Sequence, residues 1–250
     1  MLRERSSGCA INAALKRALD IVVSGSALLA LLPLMLLIAA AIRIESPGPV
    51  LFAQTRLGRY GKPFRLLKFR KFADGPAERG PAVTLRADAR LTRVGRLLQE
   101  SKLDELPQFW NVLTGEMSLV GPRPESMRFA DCFSAPYRGV LRHQPGMFGP
   151  TQVLFRNESD LFPVNRDPEE YYREVLFPAK ARLDLAYYAK ADVAQDIQWL
   201  LRGVLTVFIP SLSGFRRDDV LRAAQEWIER RNAPAAAPCE REPTAPRPPR

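Results

Sequence analysis

The sequence is poor in the residues that build zinc sites and disulfide scaffolds. Among 250 residues there is one histidine, His143, which excludes histidine-rich zinc sites and the H-E-x-x-H chemistry of metalloproteases. The three cysteines, Cys9, Cys132 and Cys239, lie far apart and form no C-x-x-C pair. Neither a disulfide framework nor a zinc ribbon fits this spacing, and a reducing compartment is the simpler interpretation.

The sequence also has fewer acidic than basic residues. It contains 27 Asp and Glu and 37 Lys and Arg, which gives a formal net charge of +10. This surplus favours an anionic partner: nucleic acid, an anionic membrane leaflet or a phosphorylated substrate. No motif that reads nucleic acid is present, and an apolar run lies near the N-terminus, so we expect no nucleic-acid partner.

One long uncharged stretch, residues 21–42, follows Asp20. As a straight helix it would span about 33 Å, enough for the hydrocarbon core of a bilayer. Three interpretations remain open: a cleaved signal peptide, a spanning helix, and a helix–break–helix that enters the membrane and returns. Pro33 lies mid-segment, where proline removes a backbone hydrogen bond and kinks a helix. Basic residues flank both ends, which favours two cytoplasmic flanks and a returning segment.

Beyond the turn at residues 46–49, local patterns predict a basic hairpin followed by helices. Apolar residues of the last helix share one face, which fits either packing into the core or an amphipathic helix at the lipid headgroups. A proline-rich tail is predicted to be disordered. The predictions are strands at 50–54 and 64–69, a loop at 74–81, helices at 91–113 with a break near Ser101, at 168–188 and at 193–208, and a tail at 233–250.

An adjacent acidic pair, Asp104 and Glu105, is the main candidate for chemistry. The apolar spacing that follows predicts a short helix, in which Pro107 is tolerated in the first turn if Asp104, rather than Ser101, is the N-cap. Adjacent helical residues point about 100° apart, so the two carboxylates cannot share one proton. One can serve as a nucleophile and the other as a Mg²⁺ ligand. The plain alternative is a capping Asp104 beside a solvated Glu105.

Several basic residues are candidate phosphate ligands. Arg123 lies between two prolines, which restrict the backbone and hold a guanidinium for bidentate phosphate recognition. A stiff surface loop is the plain alternative for this segment. Lys68, Arg70 and Lys71 alternate with aromatic residues, as in a basic strand edge, a set of phosphate ligands or a lipid-facing patch.

The order of several short motifs resembles the bacterial sugar transferases, monotopic phosphoglycosyl transferases that start glycan assembly on a polyprenyl phosphate carrier. The resemblance runs from about Lys16 to about Phe208, and it depends on the order of the motifs rather than on any one of them. In chain order they are K-R-A-L-D from Lys16, S-P-G-P-V-L-F from Ser46, G-K-P-F from Gly61, K-F-R from Lys68, L-T-R-V-G-R from Leu91, L-D-E-L-P-Q from Leu103, S-L-V-G-P-R-P from Ser118, Pro145-Gly146 and Arg156-Asn157-Glu158.

This resemblance implies a two-step reaction at Asp104, with Glu105 as its Mg²⁺-associated partner. Asp104 attacks the sugar-linked phosphorus of a nucleoside-diphosphate sugar, with a UDP-sugar as the expected donor. Polyprenyl phosphate then takes the sugar phosphate from the aspartyl intermediate, which starts an exopolysaccharide or another glycan at the bacterial inner membrane. The implied phosphate-binding residues are Arg123, Lys68, Arg70 and Arg93.

With this resemblance, the expected fold is α+β and predominantly helical. A re-entrant membrane segment, kinked at Pro33, precedes a small cytoplasmic catalytic domain with a short β-hairpin and amphipathic interfacial helices. The sequence leaves the oligomeric state open. The expected segments are a basic tail at 1–15, the membrane segment at 16–45, the catalytic domain at 46–215, a helix at 216–232 and the disordered tail at 233–250.

Two sites near the acidic pair depart from the family pattern. Gln99 and Glu100 stand where basic residues are frequent, and Lys71-Phe72 replaces a small polar residue followed by methionine. A different class of function also fits the charge, namely a non-catalytic, membrane-associated protein whose basic face binds anionic lipid or a partner. That alternative predicts that Asp104→Asn leaves the function intact.

Overall fold

A computed structural model describes residues 2–73, 90–163, 165–209 and 222. The predicted loop at 74–81, the tail at 233–250 and, apart from residue 222, the helix at 216–232 lie outside these residues. The described part is mostly helical with two small sheets, as the α+β prediction requires. Its main elements are α1 (Leu2–Glu45), β1 (Leu51–Leu57), β2 (Pro63–Phe69), α2 (Arg93–Ser101), α3 (Gln108–Thr114), β3 (Ser118–Val120), β4 (Gly146–Phe148), α4 (Pro150–Leu154), α5 (Pro168–Tyr171), a π-helical turn (Tyr172–Leu176), α6 (Phe177–Tyr188) and α7 (Val193–Phe208).

Helix α1 is a single element of 44 residues with Pro33 inside it. The structure therefore differs from the expected helix–break–helix, and the helix also takes in residues 2–15, which were predicted as a separate tail. A proline removes only its own backbone donor, so the hydrogen bonds on either side can continue the helix past it. In the described part, Ile11–Glu45 is the one helix long and apolar enough to cross a membrane by length and composition.

A polar block near the start of α1 binds this helix to the rest of the molecule. The Arg17 guanidinium donates to the Val112 and Leu113 carbonyl oxygens in the last turn of α3, at 2.7 and 2.9 Å, where a cation complements the helix dipole. Asp20 Oδ1 accepts from the Leu119 amide of β3 at 2.8 Å. Lys16 Nζ donates to the Val120 carbonyl at 2.8 Å. These contacts explain why charged residues stand directly before the apolar stretch.

The other end of α1 is bound to the same body. Both carboxylate oxygens of Glu45 accept from the first amides of α2, at Arg93 (2.7 Å) and Val94 (2.9 Å). Ile38 and Ile42 are buried in a cluster between α1, β2 and α2. Helix α1 thus contacts the domain on both sides of its apolar stretch, while much of the apolar surface between these contacts is exposed.

The predicted hairpin is confirmed. Strands β1 and β2 pair antiparallel from Leu51↔Phe69 to Leu57↔Pro63, and a short 3-10 turn joins them at Arg59–Gly61. The predicted helical region that follows divides after Ser101, as expected.

The second sheet was missed. Strands β3 and β4 form a parallel pair with Ser118 opposite Gly146, and three residues per strand are too short to give a periodic pattern. The backbones of Gly121 and Gly146 approach so closely that a Cβ on Gly146 would lie 2.0 Å from the Gly121 nitrogen. This close approach fixes the segment that carries Arg123.

Helix α7 has the predicted bounds, but the face that packs against the rest of the molecule is not its apolar stripe. Its inward face is formed by Asp196, Trp199, Gly203 and Thr206. Most of the apolar stripe lies at the surface, with Leu201 58% exposed. Core packing is therefore wrong for most of the stripe, because the polar Asp196 is drawn inward by an ion pair with Lys16 and a hydrogen bond from Tyr187.

Candidate active site

The acidic pair lies in a tight turn between α2 and α3. Lys102 adopts the left-handed conformation (φ 62°, ψ 13°) and ends α2, and a 3-10 turn at Leu103–Glu105 follows. The N-cap position of α3 falls at Pro107, so the prediction of Asp104 as N-cap is wrong. Leu106 and Pro107, between the two elements, already have helical backbone angles, and their carbonyl oxygens accept from the Phe109 and Trp110 amides of α3.

Asp104 is almost fully buried, with 1% of its surface exposed. Its Oδ2 lies 3.2 Å from Lys71 Nζ, whereas its buried Oδ1 has no hydrogen-bond partner among the described residues. A buried carboxylate oxygen without a partner is unfavourable for folding by roughly 1–3 kcal/mol. Such an arrangement persists where a reaction or a ligand requires it.

Glu105 is held by a cluster of cations. Its Oε1 accepts from Lys68 Nζ at 2.9 Å and lies 3.8 Å from Arg123 Nη2. Burial raises the pKa of Glu105, but the attraction of Lys68, Arg123 and Lys102 outweighs burial and holds that pKa well below its ordinary value. Burial lowers the pKa of Lys68, against the attraction of both carboxylates. Glu105 is therefore an anion over the whole physiological pH range.

A cavity of about 1410 Å³ opens over both carboxylates. One wall is polar and contains the acidic pair with Lys68 and Arg123. Another wall is mostly apolar and combines Leu31 and Leu34 of α1 with Gly203, Val204, Thr206 and Val207 of α7. The acidic pair thus faces a chamber bordered by the two helices that expose the most apolar surface.

A second charged cluster lines the same cavity. Lys180 Nζ donates to Tyr172 Oη at 2.9 Å and to Glu125 Oε1 at 3.2 Å, and it lies 3.3 Å from Glu158 Oε2. Burial lowers the pKa of Lys180, but the attraction of both glutamates outweighs it and raises the pKa. Burial and the neighbouring glutamates raise the pKa of Tyr172 well above its ordinary value.

The structure brings some of the predicted site residues together and separates others. Lys68 and Arg123 both meet Glu105. Arg70 also borders the cavity, but its Nη2 donates to Ser46 Oγ (2.9 Å) and to the Ser46 carbonyl (2.8 Å), which secures the turn after α1. Arg93 is exposed and is not among the residues that line the cavity; its amide binds Glu45. Pro33 lies within α1.

Sequence reasoning missed most of the second cluster. Glu125 directly follows Pro124, and its only signal is this position beside Arg123. Lys180 lies close to Arg182 and Asp184 in α6, so the sequence does not distinguish it as a buried charge. Tyr172 carries no sequence signal of its own.

The carboxylates of Asp104 and Glu105 supply only some of the oxygen ligands that one Mg²⁺ ion needs. Among the described residues, no group of three or more His, Cys, Asp or Glu side chains lies close enough to hold a metal. Mg²⁺, however, commonly takes one or two carboxylates and fills its other positions with water and substrate phosphates. The adjacent carboxylates of Asp104 and Glu105, with Asp104 Oδ1 unpartnered, meet that smaller requirement.

Comparison with known proteins adds to this geometry. The sequence pattern of the bacterial sugar transferase family matches residues 11–210. The chain is 48% identical over 203 residues to the exopolysaccharide production protein PSS of Rhizobium leguminosarum bv. phaseoli, covering 77% of this chain and 94% of that protein. It is 39% identical over 202 residues to the UDP-glucose:undecaprenyl-phosphate glucose-1-phosphate transferase of Escherichia coli K12, covering 79% of this chain and 40% of that protein.

A third relative has a different sugar in its name. The chain is 42% identical over 169 residues to the UDP-N-acetylgalactosamine-undecaprenyl-phosphate N-acetylgalactosaminephosphotransferase of Aeromonas hydrophila. That alignment covers 65% of this chain and 40% of the relative. The chain therefore spans less than half the length of two of these relatives and nearly all of PSS.

Proposed function

Because the chain belongs to the bacterial sugar transferase family, we propose that it transfers a sugar 1-phosphate from a UDP-sugar to polyprenyl phosphate. The observation that carries this proposal is the position of Asp104. Its buried carboxylate has one oxygen without a partner in the described part of the chain, and it faces a cavity with a cationic wall and an apolar wall. A soluble nucleotide sugar suits the first wall and a lipid phosphate suits the second.

The reaction proceeds in two displacements at the phosphorus that carries the sugar. A carboxylate oxygen of Asp104 bonds to this phosphorus while the bond to the bridging oxygen breaks, and UMP leaves with the bond electrons. An oxygen of polyprenyl phosphate then bonds to the same phosphorus and the carboxylate leaves, which yields polyprenyl diphosphate sugar. A carboxylate nucleophile divides one difficult transfer into two easier ones.

The cations around Glu105 supply electrostatic stabilisation for both displacements. Phosphoryl transfer depends mainly on positioning and on neutralising charge on the phosphoryl oxygens. Arg123 contacts Glu105 only at 3.8 Å, and its side chain is 36% exposed toward the cavity side, so its guanidinium remains available for a phosphate. Lys68 stays on Glu105 and keeps that carboxylate in place.

Mg²⁺ is part of the proposal, with Glu105 as the principal ligand. When bound there, the ion would neutralise diphosphate oxygens. Its binding can be measured by calorimetric titration of Mg²⁺ in the presence of a UDP-sugar, and Glu105→Gln is expected to weaken it at least about tenfold. Equal affinity of the two proteins would remove Glu105 from the metal site.

We place the protein at the inner membrane with its catalytic domain in the cytoplasm. The exposed apolar surfaces of α1 and α7 support membrane contact. Residues on both sides of the apolar stretch of α1, Arg17 and Glu45, bind the same domain, which supports two flanks on one side of the membrane. In a variant without native cysteines, Ala14→Cys and Ile44→Cys should react with a membrane-impermeant reagent from the same side. Labelling from opposite sides would contradict this topology.

The transfer is tested with the full chain in lipid nanodiscs, supplied with Mg²⁺, a panel of UDP-sugars and undecaprenyl phosphate. We expect UMP release with at least one donor and, without acceptor, a mass increase equal to one sugar phosphate. Asp104→Asn should form no adduct and lose activity by at least ~10³-fold, since a missing nucleophile removes the first displacement.

Asp131→Asn is the matched control, because the Asp131 side chain is 70% exposed and binds Arg173 outside the cavity. It should retain wild-type activity. Full transfer by Asp104→Asn would defeat the mechanism and would favour the alternative of a binding protein without catalysis.

A further inference from the structure

Lys71 is fixed to α2 through its main chain. Its carbonyl oxygen accepts from the Thr92 amide at 3.0 Å, and Thr92 in turn caps α2 by accepting from the Gly95 amide at 2.8 Å. A Cβ on Gly95 would lie 2.0 Å from the Lys71 oxygen, so the absence of a side chain there permits the contact. The end of β2 and the first turn of α2 therefore move as one unit.

The side chain of Lys71 joins α2 to Asp104. Its Nζ lies 3.2 Å from Gln99 Oε1 in the last turn of α2 and 3.2 Å from Asp104 Oδ2. Only 16% of the side chain is exposed. An ammonium group has three donors and moves freely on its four-carbon stem unless neighbours restrain it. Gln99 supplies that restraint.

The two oxygens of Asp104 therefore differ before any substrate arrives. Oδ2 is paired with a cation, whereas Oδ1 is buried and has no partner in the described part of the chain. The nearby cations Lys68 and Arg123 contact Glu105 instead. The cation that distinguishes the two oxygens of Asp104 is Lys71.

We propose that Lys71, restrained by Gln99, is a positioning residue that anchors Oδ2 of Asp104 so that Oδ1 is the attacking atom. This inference deepens the proposed function and rests on it. In the first displacement, Oδ1 forms the bond to phosphorus as the bond to the UMP oxygen breaks. Oδ2 becomes the acyl carbonyl oxygen and stays against the ammonium. Misplacing such a nucleophile by about 1 Å can slow a reaction by about 10²-fold.

Lys71 and Gln99 both belong to sites where the sequence departs from the family pattern described above, and in the structure their side chains touch. The Gln99 side chain already reaches Lys71 Nζ, and an arginine at position 99 would be longer. A cation at position 99 could therefore reach the Asp104 carboxylate that Lys71 contacts.

The experiment measures kcat and KM for UMP release by the full chain in nanodiscs. Lys71→Met should lower kcat by about 10²-fold with KM changed less than about threefold, because it disturbs the nucleophile rather than substrate binding. Lys71→Arg should keep kcat within about tenfold of the wild type. The double variant Lys71→Met with Gln99→Arg should have a kcat at least tenfold higher than that of Lys71→Met alone, since position 99 of α2 then supplies a cation to Asp104.

Lys62→Met is the control, because Lys62 is an exposed lysine at the hairpin turn and does not line the cavity. It should have wild-type kinetics. Wild-type kcat in Lys71→Met, or a rise in KM alone, overturns the positioning role and leaves the proposed function intact. A loss that the relocated cation does not recover shows a structural role for Lys71 and likewise overturns the inference. No UMP release by the wild type with any donor overturns both.

Discussion

Around Lys180 each buried charge has partners, whereas around Asp104 one buried oxygen has none among the residues that the structure describes. Lys180 gathers Tyr172, Glu125 and Glu158 within 3.3 Å on one wall of the cavity. On another wall, Asp104 is held through Oδ2 alone. Both clusters are buried and both combine lysine with carboxylate, so composition alone does not separate them.

The difference indicates a division between stability and reactivity. A fully paired cluster loses free energy when one member is removed, because the remaining charges stay buried without compensation. An under-satisfied carboxylate already destabilises the fold, so replacing its charge with a neutral group of the same shape is tolerated. Changes around Lys180 should therefore act on folding, and changes at Asp104 on the reaction.

The largest effect on stability is expected for Lys180→Met, which removes the lysine that contacts both the buried Glu125 and the half-buried Glu158. Breaking a buried ion pair on one side destabilises by about 3–5 kcal/mol, and the thermal midpoint should fall by roughly 6–20 °C. Circular dichroism of the full chain in nanodiscs measures this, and Asp104→Asn should remain within about 4 °C of the wild type. A Lys180→Met protein with a wild-type midpoint would erase the contrast between the clusters.

An effect of intermediate size is expected in the pH dependence of the free energy of unfolding, through ionisation of Asp184. Burial raises its pKa from 3.8 to about 8, against the attraction of Lys180 and a hydrogen bond from Thr151 Oγ1 at 3.2 Å. Since the folded state holds this proton more tightly than the unfolded state, the associated stability is complete below pH 4 and is lost as the pH rises toward 8. The slope is at most about 1.4 kcal/mol per pH unit.

Asp184→Asn should therefore be more stable than the wild type at pH 8, with a difference that shrinks toward pH 5. Asparagine copies the neutral carboxyl in shape but does not titrate, so the comparison isolates this one group. Thermal midpoints across pH 5–8 provide the measurement. Parallel pH profiles for the two proteins would mean that Asp184 titrates normally.

Local patterns in the sequence predicted the elements but not the partners of the buried charges. Alternation and turn residues suffice for the β1–β2 hairpin, and helical spacing suffices for the bounds of α7. The orientation of α7 depends instead on Asp196, whose ion pair with Lys16 joins positions 180 residues apart. The contact of Lys71 with Gln99 bridges 28 positions, and that of Lys180 with Glu125 bridges 55. Local hydrophobic periodicity does not predict contacts between residues that lie so far apart in the sequence.

The acidic pair was found from its motif, yet its local geometry was not predicted. The left-handed backbone of Lys102 ends α2, and this conformation is uncommon for a residue other than glycine, so the sequence predicted a break near Ser101 but not its conformation. Burial of Asp104 follows from that turn and from the cavity walls supplied by α1 and α7. Those walls exist only once distant elements have packed.

The smallest effect on stability is expected for Glu174→Gln, which breaks an ion pair at the surface. Like the pairs of Lys180, it joins a cation to a glutamate. Glu174 binds Arg166 at 2.6 Å, but the two side chains are 55% and 43% exposed, so water solvates either charge when the other is removed. Exposed pairs contribute about 0–1 kcal/mol, and the thermal midpoint should move by less than about 3 °C. Measured beside Lys180→Met under the same conditions, this variant separates burial from charge pairing as the source of stability. A shift as large as that of Lys180→Met would show that pairing alone, without burial, carries the effect.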